Sequence, residues 1–195
     1  MSTSGPSPQT LPARTQELHV HDLRQFHTRT WCSSWILDHP IPVLLSLRCQ
    51  STSSQHRLRI PRALFTTPLP MLRTLVLENC SIDWEDLCIA SPFASLTNLV
   101  IVQPWAGERI DERPSIQQLF TILSAPPRLK SCRIEGSCPN PPLVPSSTRL
   151  IPLASLEELK VLDSLHRYAI LISSLESFPS TASVFVTSRP AKYEF

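Results

Sequence analysis

Cysteine and histidine are the side chains of this chain that could bind a transition metal or act as nucleophile and base. The sequence has six of each, and the cysteines stand at positions 32, 49, 80, 88, 132 and 138. Successive gaps of 17, 31, 8, 44 and 6 residues contain no C-x-x-C pair and match no zinc framework. Neither His19 with His21 nor His27 with Cys32 has the spacing that places two ligands on one helical face. We therefore expect no metal site and cysteines that pack as small, reduced hydrophobic side chains.

Motifs for catalysis or for phosphate binding are also missing from the sequence. It contains neither the G-x-S-x-G turn of serine hydrolases nor the H-E-x-x-H motif of zinc proteases. Gly5, Gly107 and Gly136 are too far apart to form a phosphate-binding loop. The acidic run 83–86 fits the start of a solvated helix, and the charged run 109–113 fits ion pairs at the surface. The expectation is a protein that is not an enzyme and needs no cofactor.

Charge and hydropathy limit the classes of partner and the cellular locations that we expect. The formal net charge of +2 is too small for a general nucleic-acid-binding surface. No stretch reaches 18 apolar residues, so we expect no membrane span. Residues 1–8 have neither the basic nor the apolar segment of a secretory signal peptide. These features predict a cytoplasmic or nuclear protein with no nucleic-acid and no membrane partner.

A weak internal repeat gives the chain its organisation. The pattern L-x-x-L-x-L recurs four times, and proline stands two to four residues ahead of each copy. Its core positions are Leu72, Leu75 and Leu77; Leu96, Leu99 and Ile101; Leu129, Cys132 and Ile134; and Leu156, Leu159 and Val161. Steps of 24, 33 and 27 residues separate the copies, close to the 20–29 residues of leucine-rich repeats. Only the first copy ends in the expected cysteine, Cys80.

Helical signals lie between the predicted strands. Ser115 and Gln118 form a capping-box pattern ahead of the helical face of Ile116, Leu119 and Leu123, which predicts a helix over 115–124. The remaining elements are predicted as strands at 43–49, 57–60, 74–78, 98–102, 131–135, 158–162 and 184–187, and as helices at 16–35, 84–89 and 165–177.

This alternation predicts an α/β fold, namely a leucine-rich-repeat solenoid of short parallel strands with helices and irregular loops. The predicted domains are a disordered tail at 1–15, a helical segment at 16–40, a degenerate repeat domain at 41–188 and a tail at 189–195. One repeat cannot bury its apolar face alone, so the copies must stack.

Four segments carry a resemblance to a known family: Trp35–Leu47, His56–Ile60, Leu69–Leu77 and Pro114–Leu129. They resemble the leucine-rich-repeat region of fungal F-box proteins, and the resemblance is taken to extend over roughly residues 35–187. In that family an N-terminal F-box binds the Skp1 adaptor of a cullin–RING ubiquitin ligase, and the repeats bind the substrate. The resemblance therefore implies a substrate-recognition region with a protein or peptide partner.

The F-box itself is the point of departure from that family. An F-box begins with a Leu-Pro-x-Glu-type helix, whereas this chain reads Leu11-Pro12-Ala13-Arg14 with no acidic partner. One hypothesis is an interaction module without the box. A second is a complete receptor with a divergent, Skp1-binding box in residues 8–35. A third is a small hydrolase with an unrecognised site.

If the repeats stack, the strand residues that alternate with the core face the concave side of the solenoid. These candidate binding residues fall into three rows: Thr74, Asn98, Ser131 and Glu158; Val76, Val100, Arg133 and Lys160; and Glu78, Val102, Glu135 and Leu162. The early strands contribute valines and the later strands contribute both signs of charge. Such a mixture suits a protein or peptide better than a polyanion.

Overall fold

The computed structural model describes residues 16–21, 43–52, 58–60, 69–89, 93–103, 113–139, 151–173, 175–177 and 179–188. Its central element is a seven-stranded parallel sheet, and the strands lie side by side in chain order. They are β1 (Glu17–His21), β2 (Ser46–Gln50), β4 (Thr74–Glu78), β6 (Asn98–Val102), β7 (Ser131–Glu135), β9 (Glu158–Asp163) and β11 (Ser183–Ser188).

Two small parallel sheets and three helices complete the described part of the chain. β3 (Leu58–Arg59) pairs with β5 (Cys80–Ser81), and β8 (Ile151–Pro152) pairs with β10 (Leu175–Ser177). The helices are α1 (Trp84–Ile89), α2 (Ile116–Ser124) and α3 (Leu165–Ser173). The fold is therefore α/β with a parallel sheet, as the sequence predicts, and its arrangement is compatible with an open solenoid.

The strands share one register and one starting turn. Leu75, Leu99, Cys132 and Leu159 are aligned with each other across neighbouring strands. Ahead of four strands, a backbone N–H at the first core position bonds the carbonyl three residues earlier: Leu72 to Leu69 at 3.1 Å, Leu96 to Phe93 at 2.9 Å, Leu129 to Pro126 at 3.2 Å and Leu156 to Leu153 at 3.1 Å. The same local geometry thus recurs at each step.

The core consists of three rows of buried side chains that run across the sheet. They are Leu44, Leu72, Leu96, Leu129 and Leu156; Leu47, Leu75, Leu99, Cys132 and Leu159; and Cys49, Leu77, Ile101, Ile134 and Val161. Buried side chains of all three helices join the same cluster, among them Leu87, Leu119 and Leu171. The helices therefore cover one face of the sheet. Each buried leucine contributes about 2 kcal/mol relative to an exposed one.

The predicted capping box on α2 is confirmed. Ser115 Oγ accepts from the Gln118 backbone N–H at 3.2 Å, and the Ser115 N–H donates to Gln118 Oε1 at 2.8 Å. α2 also packs beside α1, and the Cys88 thiol donates to the Gln118 carbonyl at 3.4 Å. The cap fixes where α2 starts, and the thiol contact ties it to the preceding helix.

Several predicted elements differ from the observed ones. The helix expected over 16–35 is wrong at Glu17–His21, which forms the edge strand β1 because Leu18 and Val20 alternate with polar residues. The helix expected over 165–177 ends at Ser173, since Leu175–Ser177 pairs as β10 instead. The two predicted tails, 1–15 and 189–195, and residues 22–40 lie outside the described residues.

Candidate binding face

The sheet has a second face, opposite to the helices, which we call the open face. It is formed by the strand residues that alternate with the core, and the register places them in three rows. The first row contains Thr74, Asn98, Ser131 and Glu158; the middle row Val76, Val100, Arg133 and Lys160; the last row Glu78, Val102, Glu135 and Leu162. All twelve candidate residues share this face, and their role in binding stays a prediction.

Val76 is the buried member of the open face, with only 3% of its surface exposed. Val100, Val102 and Leu162 are partly exposed. Because Val100 and Val102 lie on one strand two residues apart, they form one continuous apolar spot on β6. A partner side chain can reach this spot, whereas Val76 on the neighbouring strand β4 is covered.

On β7 and β9, beyond the apolar spot of β6, open-face residues of the same strand form ion pairs. Arg133 Nε lies 2.6 Å from Glu135 Oε1, and Lys160 Nζ lies 2.7 Å from Glu158 Oε1. The hydrogen bond to Glu135 raises the pKa of the Arg133 guanidinium, and the bond from Lys160 lowers the pKa of Glu158. Both pairs are partly exposed, so they present matched donors and acceptors and little net charge. This arrangement suits the backbone and polar side chains of a protein partner.

The open face extends beyond the residues that the sequence singled out. In register with Val76 and Lys160, the middle row continues to Arg48 on β2 and to Phe185 on β11. A signal for β2 was present: Leu44, Leu47 and Cys49 fit the repeat pattern 28 residues before Leu72. Arg48 and Phe185 are both exposed, so they enlarge the surface at both ends.

The carboxyl ends of the strands are joined by side-chain bonds between successive repeats. The Cys80 thiol donates to the Cys49 carbonyl at 3.3 Å, Asn79 Nδ2 donates to the Ser51 carbonyl at 3.1 Å, and Gln103 Nε2 donates to the Cys80 carbonyl at 2.8 Å. These bonds add side-chain donors to backbone carbonyls of the neighbouring repeat. They connect the chain after β2, β4 and β6 at this end of the sheet.

A buried carboxylate at the end of β9 binds Arg113, which precedes α2, and so connects this part of the chain to the sheet. Asp163, fully buried at the end of β9, accepts from Arg113 Nη1 at 3.3 Å and from the Cys138 N–H at 3.0 Å. The Ser164 N–H donates to its other oxygen at 2.8 Å, and Arg167 Nη1 lies 3.8 Å away. The expectation of a surface pair for Arg113 is therefore wrong, since its guanidinium is directed to a carboxylate 50 residues away.

The cysteines described by the structure are Cys49, Cys80, Cys88, Cys132 and Cys138, and each is a free thiol. Within the described ranges no group of three His, Cys, Asp or Glu residues is arranged to hold a metal ion. Burial raises the pKa of the Cys132 thiol to about 12, and burial is also the main cause that raises the pKa of Cys138. These thiols stay protonated and unreactive at neutral pH.

The raised thiol pKa values predict a loss of stability at alkaline pH. Above pH 9.0 the unfolded chain releases the Cys132 proton while the folded chain keeps it up to about pH 12. The free energy of unfolding should then fall with rising pH, by about 1.4 kcal/mol per pH unit for this thiol. Urea unfolding at a series of pH values from 8 to 11 measures the slope, and Cys132→Ala should make it shallower. An unchanged slope in Cys132→Ala would contradict the assignment.

Comparison with known proteins gives no match: no family model, no curated protein and no solved structure is significantly similar to this chain. A search for membrane spans in the described residues found no helix that is both long and apolar enough.

Proposed function

We propose that this chain is a non-catalytic protein-interaction module of the leucine-rich-repeat type, and that its open face binds a protein or peptide. The observation that carries the proposal is the shared register of the strands, which arranges the open-face residues in rows with a fixed spacing. Extended arrays of this kind, formed by stacked repeats, are the binding surfaces of solenoid proteins. The recurring turn and the bond from the Cys80 thiol to the preceding repeat support the repeat type.

The nature of the face favours a protein partner. A protein surface is contacted best by an apolar centre with paired polar groups around it. Val100 and Val102 supply the centre, and the Arg133–Glu135 ion pair borders it on the adjacent strand. A polyanion would bind best to unpaired cations, whereas here the carboxylate of Glu135 neutralises the guanidinium of Arg133.

The binding proposal predicts a specific loss for Val100→Asp. Peptides selected from a displayed random library against the full chain should bind this variant at least about tenfold more weakly, because a charge replaces an apolar contact. Met71→Asp is the matched control, since Met71 is exposed in the turn before β4 and lies outside the rows. Arg133→Glu tests the adjacent polar border and gives a second readout on the same face.

Titration calorimetry or fluorescence anisotropy measures the affinities, and circular dichroism checks that each variant is folded. Equal binding of the selected peptides to the wild type and to both open-face variants would place the peptide site elsewhere and contradict the proposal.

We further propose, from the resemblance to F-box proteins, that the module serves as the substrate-recognition region of a cullin–RING ubiquitin ligase. The alternative of a divergent, Skp1-binding box in residues 8–35 requires helices there. The strand Glu17–His21 belongs to the sheet instead, which favours a module without the box.

Co-purification with Skp1 tests the two alternatives. The full chain and a Leu11→Asp variant are compared, because deletion of the first 35 residues would also remove β1 from the sheet. We expect no Skp1 binding by either chain. Binding by the full chain that is lost in Leu11→Asp would establish the divergent box.

A further inference from the structure

The last strand of the sheet, β11, differs from its neighbour β9 in how far its core-side residues are exposed. Val184 and Val186 are in register with Leu159 and Val161 of β9, which are 1% and 2% exposed. The two valines themselves are 41% and 39% exposed, and Phe185 between them is 53% exposed. Both faces of β11 therefore present exposed apolar side chains.

The edge of β11 opposite to β9, called the free edge because no described strand pairs with it, also has backbone groups that point away from the sheet. Among the described residues β11 pairs only with β9. The Ser183 N–H donates to the Glu157 carbonyl at 2.9 Å, toward β9. Because backbone groups alternate in direction along a strand, those of Phe185 also point to β9, and those of Val184 and Val186 point to the free edge. An exposed apolar edge of this kind is a template for pairing with another strand.

The sequence of β11 identifies the strand that would fit. Residues 183–187 read Ser-Val-Phe-Val-Thr, which has the same chemical order in both directions about Phe185. Such a strand is complementary to itself when a second copy runs antiparallel across a twofold axis at Phe185. Twofold symmetric dimers are the commonest soluble homo-oligomers, and their interfaces are self-complementary in this way.

The backbone directions agree with that symmetry. An axis at Phe185 places Val184 opposite Val186 of the second copy, and these residues hold the outward-directed N–H and C=O groups that a hydrogen-bonded antiparallel pair exchanges. Phe185 then meets Phe185 of the second copy in a non-hydrogen-bonded pair, where side chains are closest. The valines remain on the core side and extend its rows.

We propose that β11 is a self-association edge, through which two copies of this chain form a dimer with one continuous sheet. The inference goes beyond the proposed binding function, since it assigns another partner, a second copy of the chain, to the edge of the sheet, and this edge shares Phe185 with the open face. Lys160, whose Nζ lies 5.6 Å from the centre of the Phe185 ring, borders the contact on the open face.

Two variants test the edge and the symmetry. Val186→Pro removes an N–H that points to the free edge and leaves the bonds to β9 intact, so it blocks pairing while sparing the sheet. Phe185→Cys places two thiols across the axis within disulfide reach, because paired residues there have Cα atoms about 4.5 Å apart. Thr187→Cys is the matched control, since its opposite residue is Ser183 of the second copy.

Sedimentation analysis of the full chain should give twice the chain mass of 21.9 kDa, and Val186→Pro should halve it. Met71→Lys, which changes an exposed apolar residue elsewhere, should leave the mass doubled. Under mild oxidation Phe185→Cys should form a covalent dimer in much higher yield than Thr187→Cys.

Three results would overturn the proposal. A wild-type monomer at all concentrations means that the edge is not self-associating. Open-ended growth with concentration, without cross-linking of Phe185→Cys, means that β11 of one copy pairs with β1 of the next. A dimer that persists in both Val186→Pro and a second variant, Phe185→Lys, means that another surface holds the copies together.

Discussion

Replacement of Asp163 by alanine is expected to lower the free energy of unfolding by about 3 to 5 kcal/mol. Asp163 is fully buried and accepts from Arg113, from the Cys138 N–H and from the Ser164 N–H. Its removal leaves the Arg113 guanidinium, whose side chain is only 13% exposed, without its carboxylate. Loss of one member of a buried pair is costly because the remaining charge is desolvated and uncompensated.

An exposed ion pair in the same molecule supplies the control for Asp163. Lys130 Nζ lies 2.6 Å from Glu157 Oε1, and more than half of each side chain is exposed. Glu157→Ala should therefore change the free energy of unfolding by less than about 1 kcal/mol, since water screens the charge. Urea denaturation followed by circular dichroism measures both variants. Equal effects of Asp163→Ala and Glu157→Ala would contradict a structural role for the buried carboxylate.

Gly136→Ala is expected to be the second strongly destabilising change, by about 3 kcal/mol. Gly136 follows β7 with a φ of 62°, which favours glycine. A Cβ at this position would lie 2.5 Å from the Gln103 carbonyl oxygen, which is a backbone atom of the neighbouring repeat. The methyl group would have to displace the main chain, so both strain and the close approach add to the cost.

Asn79 occupies the equivalent position after β4 and provides the comparison. Its φ of 54° is also in the left-handed region, which asparagine tolerates better than most residues. Asn79→Gly relieves that strain and loses the bond from Nδ2 to the Ser51 carbonyl, at a cost of about 1 kcal/mol. Thermal unfolding of both variants should show the larger fall in Tm for Gly136→Ala. A fall of the same size in Asn79→Gly would show that the close approach to Gln103 costs little.

Local patterns in the sequence predicted much of the sheet. β4, β6 and β7 have the predicted bounds, as does α1, and the capping box at Ser115 starts α2 as expected. These elements were predictable because the apolar spacing and the cap are encoded within a few consecutive residues. The rows of the open face could be predicted equally well, since a regular repeat aligns equivalent positions of successive strands.

Features that depend on distant residues were not predictable in the same way. Asp163 and Arg113 are 50 residues apart, so no local spacing indicates that they meet. The burial of Val76 depends on what lies against it in the folded chain, and its position in the pattern gave no sign of it. β1 is different, because the alternation of Leu18 and Val20 with polar residues was available in the sequence and favoured a strand over the predicted helix.

The alternation along each strand separates, residue by residue, the side chains that build the core from those of the proposed binding face. Leu99 and Ile101 of β6 determine whether the repeat stacks, whereas Asn98, Val100 and Val102 face away from that core. Because the two groups lie on opposite faces of the strand, substitutions in the second group should leave the core packing of the first in place. Evolution can then change the chemical character of the surface position by position while the architecture is inherited unchanged.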